Sequence, residues 1–235
     1  MEYYYCPDLT TAMVWLSEEE SKHCAMVKHR RVGDTLMLID GRGTRVTAML
    51  TDINRHRVGL QVLSKESQWG KRSRAFHLAI APTKQRERME WMLEKTVEIG
   101  IEKITFLICE RSERQQIDLS RMSRIAIAAI KQSGTAFLPQ ITCLPFDDFL
   151  KTIPENTPLV EKYIAWCETP EDTPLLQHIP MTAVEMTVLV GPEGDFTYIE
   201  VEKAKNAGFK EISLGKKRLR TETAGLFACC LAAKE

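Results

Sequence analysis

An α/β domain behind a small β-barrel is the fold class this 235-residue sequence predicts. Three observations predict it. Short runs of β-formers broken by tight turns fill roughly the first 65 residues, the pattern of a small barrel or meander. From Ala75 onward, strand-like runs alternate with amphipathic helical ones, which argues for a parallel sheet with helices on both faces. Between the two patterns lies SKESQWGKRSR, a polar, glycine-containing linker. The boundary therefore falls near Gly70, giving domains of residues 1–70 and 71–235.

Within the first domain, the aromatic run Tyr3, Tyr4 and Tyr5 reads as a strand and is assigned to the core. Ser17 followed by Glu20 forms a capping box, so SEEESKHCAMVKH is a short helix. DTLMLID, GTRVTAML and RVGLQVL are strands, separated by the turns DGRG and DINRH. In the second domain AFHLAIA is a strand, and QRERMEWMLEKTVEIG carries apolar residues at 89, 92, 93 and 97 and closes at Gly100. KITFLIC is the next strand, and DLSRMSRIAIAAIKQSG is a helix ending at Gly134. Strands YIAWC and TVLVG, helix IEVEKAKNAG, strand EISLG and a last apolar helix in TETAGLFACCLAA complete the order.

Composition narrows the functions available. At 44% hydrophobic the chain can bury a sizeable core, and 32 basic against 32 acidic residues leave no net charge. Any attraction for polyanions must then come from local clusters such as KHRR, DGRGTR, NRHR and KRSR. Seven cysteines without a CxxC pair fit neither a disulfide framework nor a zinc ribbon, and a reducing cytoplasm is the expected location. No signal peptide or apolar run long enough for a bilayer is evident. His23, Cys24 and His29 lack further ligands at metal spacing, so no metal is expected. His77 reads as a satisfied buried histidine, and Cys229 and Cys230 as small hydrophobes in a helix.

Parallel sheets bind ligands at the carboxyl ends of their strands. Two such loops stand out. VLVGPEGDFT holds Gly191, Pro192, Glu193 and Gly194, followed by a T-x-x-E capping box at Thr197 and Glu200. Glycine admits close approach and Pro192 stiffens the loop, although a bare GPEG also suits a plain strand-to-helix turn. It is neither a dinucleotide fingerprint nor a Walker loop. The second loop, LGKKRLRTETA, runs from a strand through Lys216, Lys217, Arg218 and Arg220 into a helix whose Glu222 suits the positive end of its dipole.

Together GPEGDFTYIE and LGKKRLRTETA, with FHLAIAPTKQRERMEWMLEKTVEIGI, ERSE and QSGTAFLPQI, resemble the 16S ribosomal RNA uridine-N3 methyltransferases of the SPOUT superfamily, the ribosomal small subunit methyltransferase E family. The resemblance covers nearly the whole chain. It implies a trefoil-knotted α/β domain that binds S-adenosylmethionine, a PUA-like N-terminal barrel and a homodimer, with 16S ribosomal RNA in the small subunit as partner. The cofactor cradle would comprise Leu189, Val190, Gly191, Pro192, Glu193 and Gly194, then Leu214, Gly215, Leu219 and Thr221, with residues 165–168 as a third wall. Arg220, helped by Arg218, would orient the target nucleotide or its phosphate; Glu222 or Glu193 would fix loop geometry or accept a proton. The basic clusters at 28–31, 42–45, 55–57 and 71–74 would be contacts to RNA phosphates, with Arg30, Arg31, Arg42, Arg45 and Arg72 as the residues expected to make them. A SPOUT enzyme acting on transfer RNA and a non-catalytic RNA-binding assembly factor are the alternatives. Two residues depart from the family pattern: Asp195 stands where a second glycine is usual, and Thr135 where arginine is common.

Overall fold

A computed structural model describes residues 2–54, 57–153, 159–180 and 182–233. Its contacts separate two units: Met1–Lys71 with Ala126–Leu138, and Arg72–Ile125 with Pro139–Glu235. Arg55 and His56, part of the NRHR cluster, lie outside the described residues.

In the first unit a five-stranded sheet runs in the order β1-β3-β4-β5-β2. Its strands are β1 (Tyr3–Tyr5), β2 (Met13–Trp15), β3 (Thr35–Ile39), β4 (Arg45–Ile53) and β5 (Val58–Glu66). The alternation read in GTRVTAML is real: Val46, Ala48 and Leu50 turn inward to meet Leu36, Leu38 and Leu60. The three tyrosines divide their work. Tyr4 is wholly buried, while Tyr3 and Tyr5 are half-buried and lie over Gly134 and Gly41, where a Cβ would collide with their rings.

The Ser17 capping box forms only by half. Ser17 accepts the Glu20 amide and starts α1 (Glu18–Lys22), but the Glu20 carboxylate does not return to the Ser17 amide. It is buried and pairs instead with Lys131 at 2.5 Å. Burying a carboxylate demands a cation, and that demand outweighs the local cap. The HCAMV segment that follows is a π-helical turn, His23–Val27, rather than more α-helix.

The second unit is built on a six-stranded sheet in the order β11-β9-β10-β6-β7-β8, parallel at every pairing. The strands are β6 (Ala75–Ile80), β7 (Lys103–Ile108), β8 (Gln140–Pro145), β9 (Val160–Ala165), β10 (Glu185–Val190) and β11 (Lys210–Ile212). Helices α2 (Arg86–Ile99), α4 (Phe146–Thr152), α5 (Tyr198–Asn206) and α6 (Thr221–Ala232) belong to this unit, whereas α3 (Leu119–Ser133) begins in it and from Ala126 onward counts with the first unit. On β6, Leu78 and Ile80 meet Gly225 of α6. The alternate residues Ala79 and Ala81 join Phe146 and Phe149 of α4 and Val201 and Ala204 of α5 in the opposite core layer. Both faces are therefore covered.

The sequence reading missed β8 and α4, and it ran two strands long: YIAWC stops at Ala165 and EISLG at Ile212. Gly100 ends α2 in the left-handed conformation, φ 96°, and Asp118 accepts the Arg121 amide at the start of α3. Cys229 is buried as expected, but Cys230 is exposed because it falls on the outer face of α6. Among the described residues no helix is long and apolar enough to cross a membrane.

His77 on β6 hydrogen-bonds to Thr105 at 2.8 Å. Burial, reinforced by Lys103, depresses its pKa from 6.5 to about 4. Between those values the unfolded chain binds a proton that the folded chain refuses, so folding stability is lost as pH falls from 6.5 toward 4. The His77→Gln variant should lose less stability on acidification, read as a smaller fall in urea midpoint across that window. Parallel falls in both proteins would exclude His77 as the cause.

Candidate functional site

A cleft of about 810 Å³ opens where β9, β10 and β11 end. Its position follows from the topology. β9, β10 and β11 are neighbouring parallel strands, so the loops leaving their carboxyl ends lie side by side on the edge where such sheets bind ligands.

The β10 wall consists of Val190 and the GPEGD turn, closed by the Asp195 amide bonding to Pro192 O at 2.9 Å. Three side chains hold the turn in place. Glu193 Oε1 accepts the Lys84 amide at 3.0 Å, tying the turn to the loop after β6. The Arg111 guanidinium donates to Gly194 O at 2.9 Å, and Asp195 accepts from the amides of Phe196 and Cys167. Arg114 in turn binds the carbonyls of Thr83 and Lys84. The capping box at α5 is complete, with Thr197 accepting the Glu200 amide and Glu200 accepting the Thr197 amide.

The β11 wall is the cationic loop. Gly215 has φ 119°, a backbone setting that favours glycine. Lys216, Lys217 and Arg218 follow as exposed residues, and Arg220 sits exposed at the N-cap of α6. Lys216, Lys217, Arg218, Leu219, Arg220 and Thr221 all border the cleft. Among the described residues, no carboxylate lies within ion-pair distance of these four cations.

Glu222 behaves differently. It is buried behind the wall, off the cleft surface, with Oε1 3.7 Å from Arg88 Nε and Oε2 without a hydrogen-bond partner among the described residues. Arg88, on the first turn of α2, does border the cleft. The third wall is Ala165–Thr169. Its Trp166 indole donates to Glu211 at 2.8 Å and meets Tyr198 edge-on, while the Tyr198 hydroxyl donates to Glu168. Cys167 is exposed, but partial desolvation, with Asp195 beside it, pushes its thiol up, so at neutral pH it is a thiol and not a nucleophilic thiolate.

Of the residues singled out in the sequence, Val190 to Gly194, Leu214, Gly215, Leu219 and Thr221 converge on this cleft with Arg218 and Arg220. Leu189 does not: it is wholly buried in the layer below. Sequence reasoning missed Arg88 and the clamping roles of Arg111 and Arg114. The N-terminal arginines serve varied partners. Arg31 is exposed, Arg30 lies 3.5 Å from Glu2, and exposed Arg42 donates to Pro7 O. Arg45 binds Glu66 and lies over the Trp69 ring. Arg72 is occupied by the carbonyls of Gly100 and Ala232. Among the described residues no cluster of three metal-ligating side chains occurs.

Chemically, the cleft offers glycine-bearing loops, exposed cations at its rim and carboxylates that are already engaged in holding loops. It suits a ligand bound by main-chain groups together with an anionic second ligand at the rim.

A family model described as "RNA methyltransferase domain" matches residues 71–233. The "Ribosomal RNA small subunit methyltransferase E" of Rickettsia conorii is 28% identical over 214 residues, covering 90% of this chain and 85% of that protein. Two solved structures are similar over nearly the whole chain. One, a probable rRNA-methyltransferase from Porphyromonas gingivalis, is 39% identical with a TM-score of 0.88, covering 98% of this chain and 96% of that one. The other, a ribosomal RNA small subunit methyltransferase E from Neisseria gonorrhoeae bound to S-adenosyl methionine, is 29% identical with a TM-score of 0.87, covering 98% and 95%.

Proposed function

Because the chain belongs to the RNA methyltransferase domain family, among the ribosomal RNA small subunit methyltransferases E, we propose that it methylates N3 of a uridine in 16S ribosomal RNA with S-adenosylmethionine as methyl donor. The observation that carries the reading is the convergence of the GPEGD and LGKKRLRT loops on one cleft, in a chain that matches a cofactor-bound relative from end to end.

The residues present fit the cofactor. The cleft volume lies in the range of small-molecule sites, and two glycine-bearing loops, residues 190–194 and 213–219, border it. When bound, S-adenosylmethionine supplies a methyl group already activated by its sulfonium. What remains for the protein is alignment of the incoming nitrogen and control of one proton. Uracil N3 is protonated at neutral pH and must give that proton to solvent water as the nitrogen–carbon bond forms and the sulfur–carbon bond breaks; loss of the proton is what places negative charge over O2 and O4. Arg220, with Arg218, is the donor for that charge or for the adjacent phosphate. Glu222 holds Arg88 toward the cleft, and Glu193 fixes the loop after β6; both carboxylates act through position. Residues 71–235 form the knotted methyltransferase domain and residues 1–70 a PUA-like RNA-binding barrel. Arg30, Arg31, Arg42 and Arg45 of that barrel are proposed phosphate contacts, whereas Arg72 is structural. A homodimer in the cytoplasm completes the reading.

Methyl transfer from labelled S-adenosylmethionine to small ribosomal subunits lacking their modifications, followed by nucleoside analysis, tests it. Label in 3-methyluridine is expected. Label in transfer RNA instead would replace the substrate, and label in neither would leave a binding module.

A further inference from the structure

The walls of the cleft are continuous with a parallel ladder that stops short of it. β9 and β10 pair in register from Val160 with Glu185 to Ala165 with Val190, and there the pairing ends. Beyond that point the two chains part to form opposite sides of the cleft. Among the described residues the gap is spanned at two places: the Tyr198 hydroxyl on α5 donates to Glu168, and within the β10 turn itself the Cys167 amide donates to Asp195 Oδ2 at 2.8 Å. The other carboxylate oxygen, Oδ1, accepts the Phe196 amide at 2.9 Å.

Asp195 is held for this task in an uncommon conformation. Its φ is 63°, in the left-handed region that favours glycine and that asparagine or aspartate enters at modest cost. The surroundings are shaped to keep it there. The Asp195 amide closes the turn on Pro192 O, and Arg111 grips the carbonyl before it, Gly194 O. At Gly191 a Cβ would stand 3.2 Å from Asp195 Oδ1 and 3.1 Å from the Phe196 amide nitrogen, so glycine there leaves the carboxylate its room. A residue kept at positive φ by its neighbours, with each oxygen on a backbone amide, is a built feature of the loop.

We propose that Asp195 is a positioning residue for the cofactor: its carboxylate latches the β9 wall to the β10 wall and so sets the width of the cleft before the cofactor enters. The proposal rests on the reading of this cleft as the S-adenosylmethionine site. A wall that is already ordered spares the ligand the entropy of ordering it, so the latch acts on binding. It touches no reacting atom, so turnover at saturation is left nearly alone.

Asp195→Gly removes both hydrogen bonds while tolerating the left-handed backbone, which protects folding. Two readouts are needed. Isothermal titration with S-adenosylmethionine should show a Kd raised about ten-fold, equivalent to about 1.4 kcal/mol, with kcat at saturating cofactor within about two-fold of wild type. Hydrogen exchange of the ligand-free protein should show the Cys167 amide losing protection while the β9 and β10 ladder amides keep theirs. Asp195→Asn tolerates the left-handed backbone and retains one carbonyl acceptor, so it should recover part of both effects. Wild-type Kd in Asp195→Gly, or an equally protected Cys167 amide, would overturn the latch and leave the functional reading intact. Failure of the wild-type protein itself to bind S-adenosylmethionine would overturn the reading of the cleft and this proposal with it.

Discussion

Arg220→Ala should lower methyl transfer to the ribosomal RNA substrate by about 10²- to 10³-fold in kcat, the loss expected when one donor to a developing anion is removed. Arg220 is exposed at the cleft edge, and its side chain has no carboxylate partner among the described residues, so its deletion orphans nothing within the fold. Its backbone carbonyl still accepts the Ala224 amide and starts α6 in the variant. Thermal stability should therefore stay near wild type and S-adenosylmethionine affinity within a few-fold, confining the defect to RNA orientation or charge stabilisation. Arg220→Lys should recover part of the rate if a point charge suffices, and little if the forked guanidinium is needed. Full activity in purified Arg220→Ala would remove Arg220 from the mechanism.

The largest structural effect is expected at Gly225. This residue lets α6 approach the sheet so closely that a Cβ would stand 2.6 Å from Ile80 Cδ1 and 3.1 Å from Leu78 Cδ2. Both side chains are fully buried in the central strand β6, with Met92 of α2 also close by, so neither can retreat without displacing others. Gly225→Val should cost about 3 kcal/mol through overpacking and lower Tm by roughly 6 to 12 °C. Gly225→Ala should cost less and fall between. Because α6 begins at Thr221, directly after Arg220, the shift that relieves the clash also moves the cationic loop. Activity of Gly225→Ala should then fall further than its folded fraction at the assay temperature does. A valine variant with wild-type Tm would show that α6 has slack the packing does not suggest.

Legibility of the fold in the sequence depended on whether the deciding interaction was local. Helix α2 announced itself through its apolar spacing and Gly100, and the Thr197 and Glu200 box formed as read, since every partner lies within a turn. The Ser17 box failed by half because Glu20 found Lys131, 111 residues away. β8 was missed because it is an edge strand of mostly half-buried residues, and α4 because it is only seven residues long and starts after Pro145 without a side-chain cap. The same division runs through the site. Glycine-bearing loops at strand ends were visible, whereas Arg88 and Arg111 are single arginines in an ordinary helix and loop. Arg111 reaches Gly194 across 83 residues, and no local pattern encodes that. Glu222 looked like a cleft residue by its place in LRTETA, but helical rotation turns it under the wall toward Arg88.

The strand order carries a consequence for how the protein comes into being. β10 lies between β6 and β9, yet Glu185 pairs with Ala75, roughly 110 residues earlier in the chain. Closing so long a loop must precede the pairing that rewards it, which makes the step slow. On the ribosome, β6 and β9 emerge with the edges that β10 will cover still open, and open edges are where chains join wrongly. The cleft walls built from residues 190–195 and 212–221 leave the ribosome only with or after β10. Assembly of the sheet and birth of the cofactor cleft are thus one late event, so slowing elongation after residue 165 should lengthen the period of aggregation risk without producing a partly active intermediate.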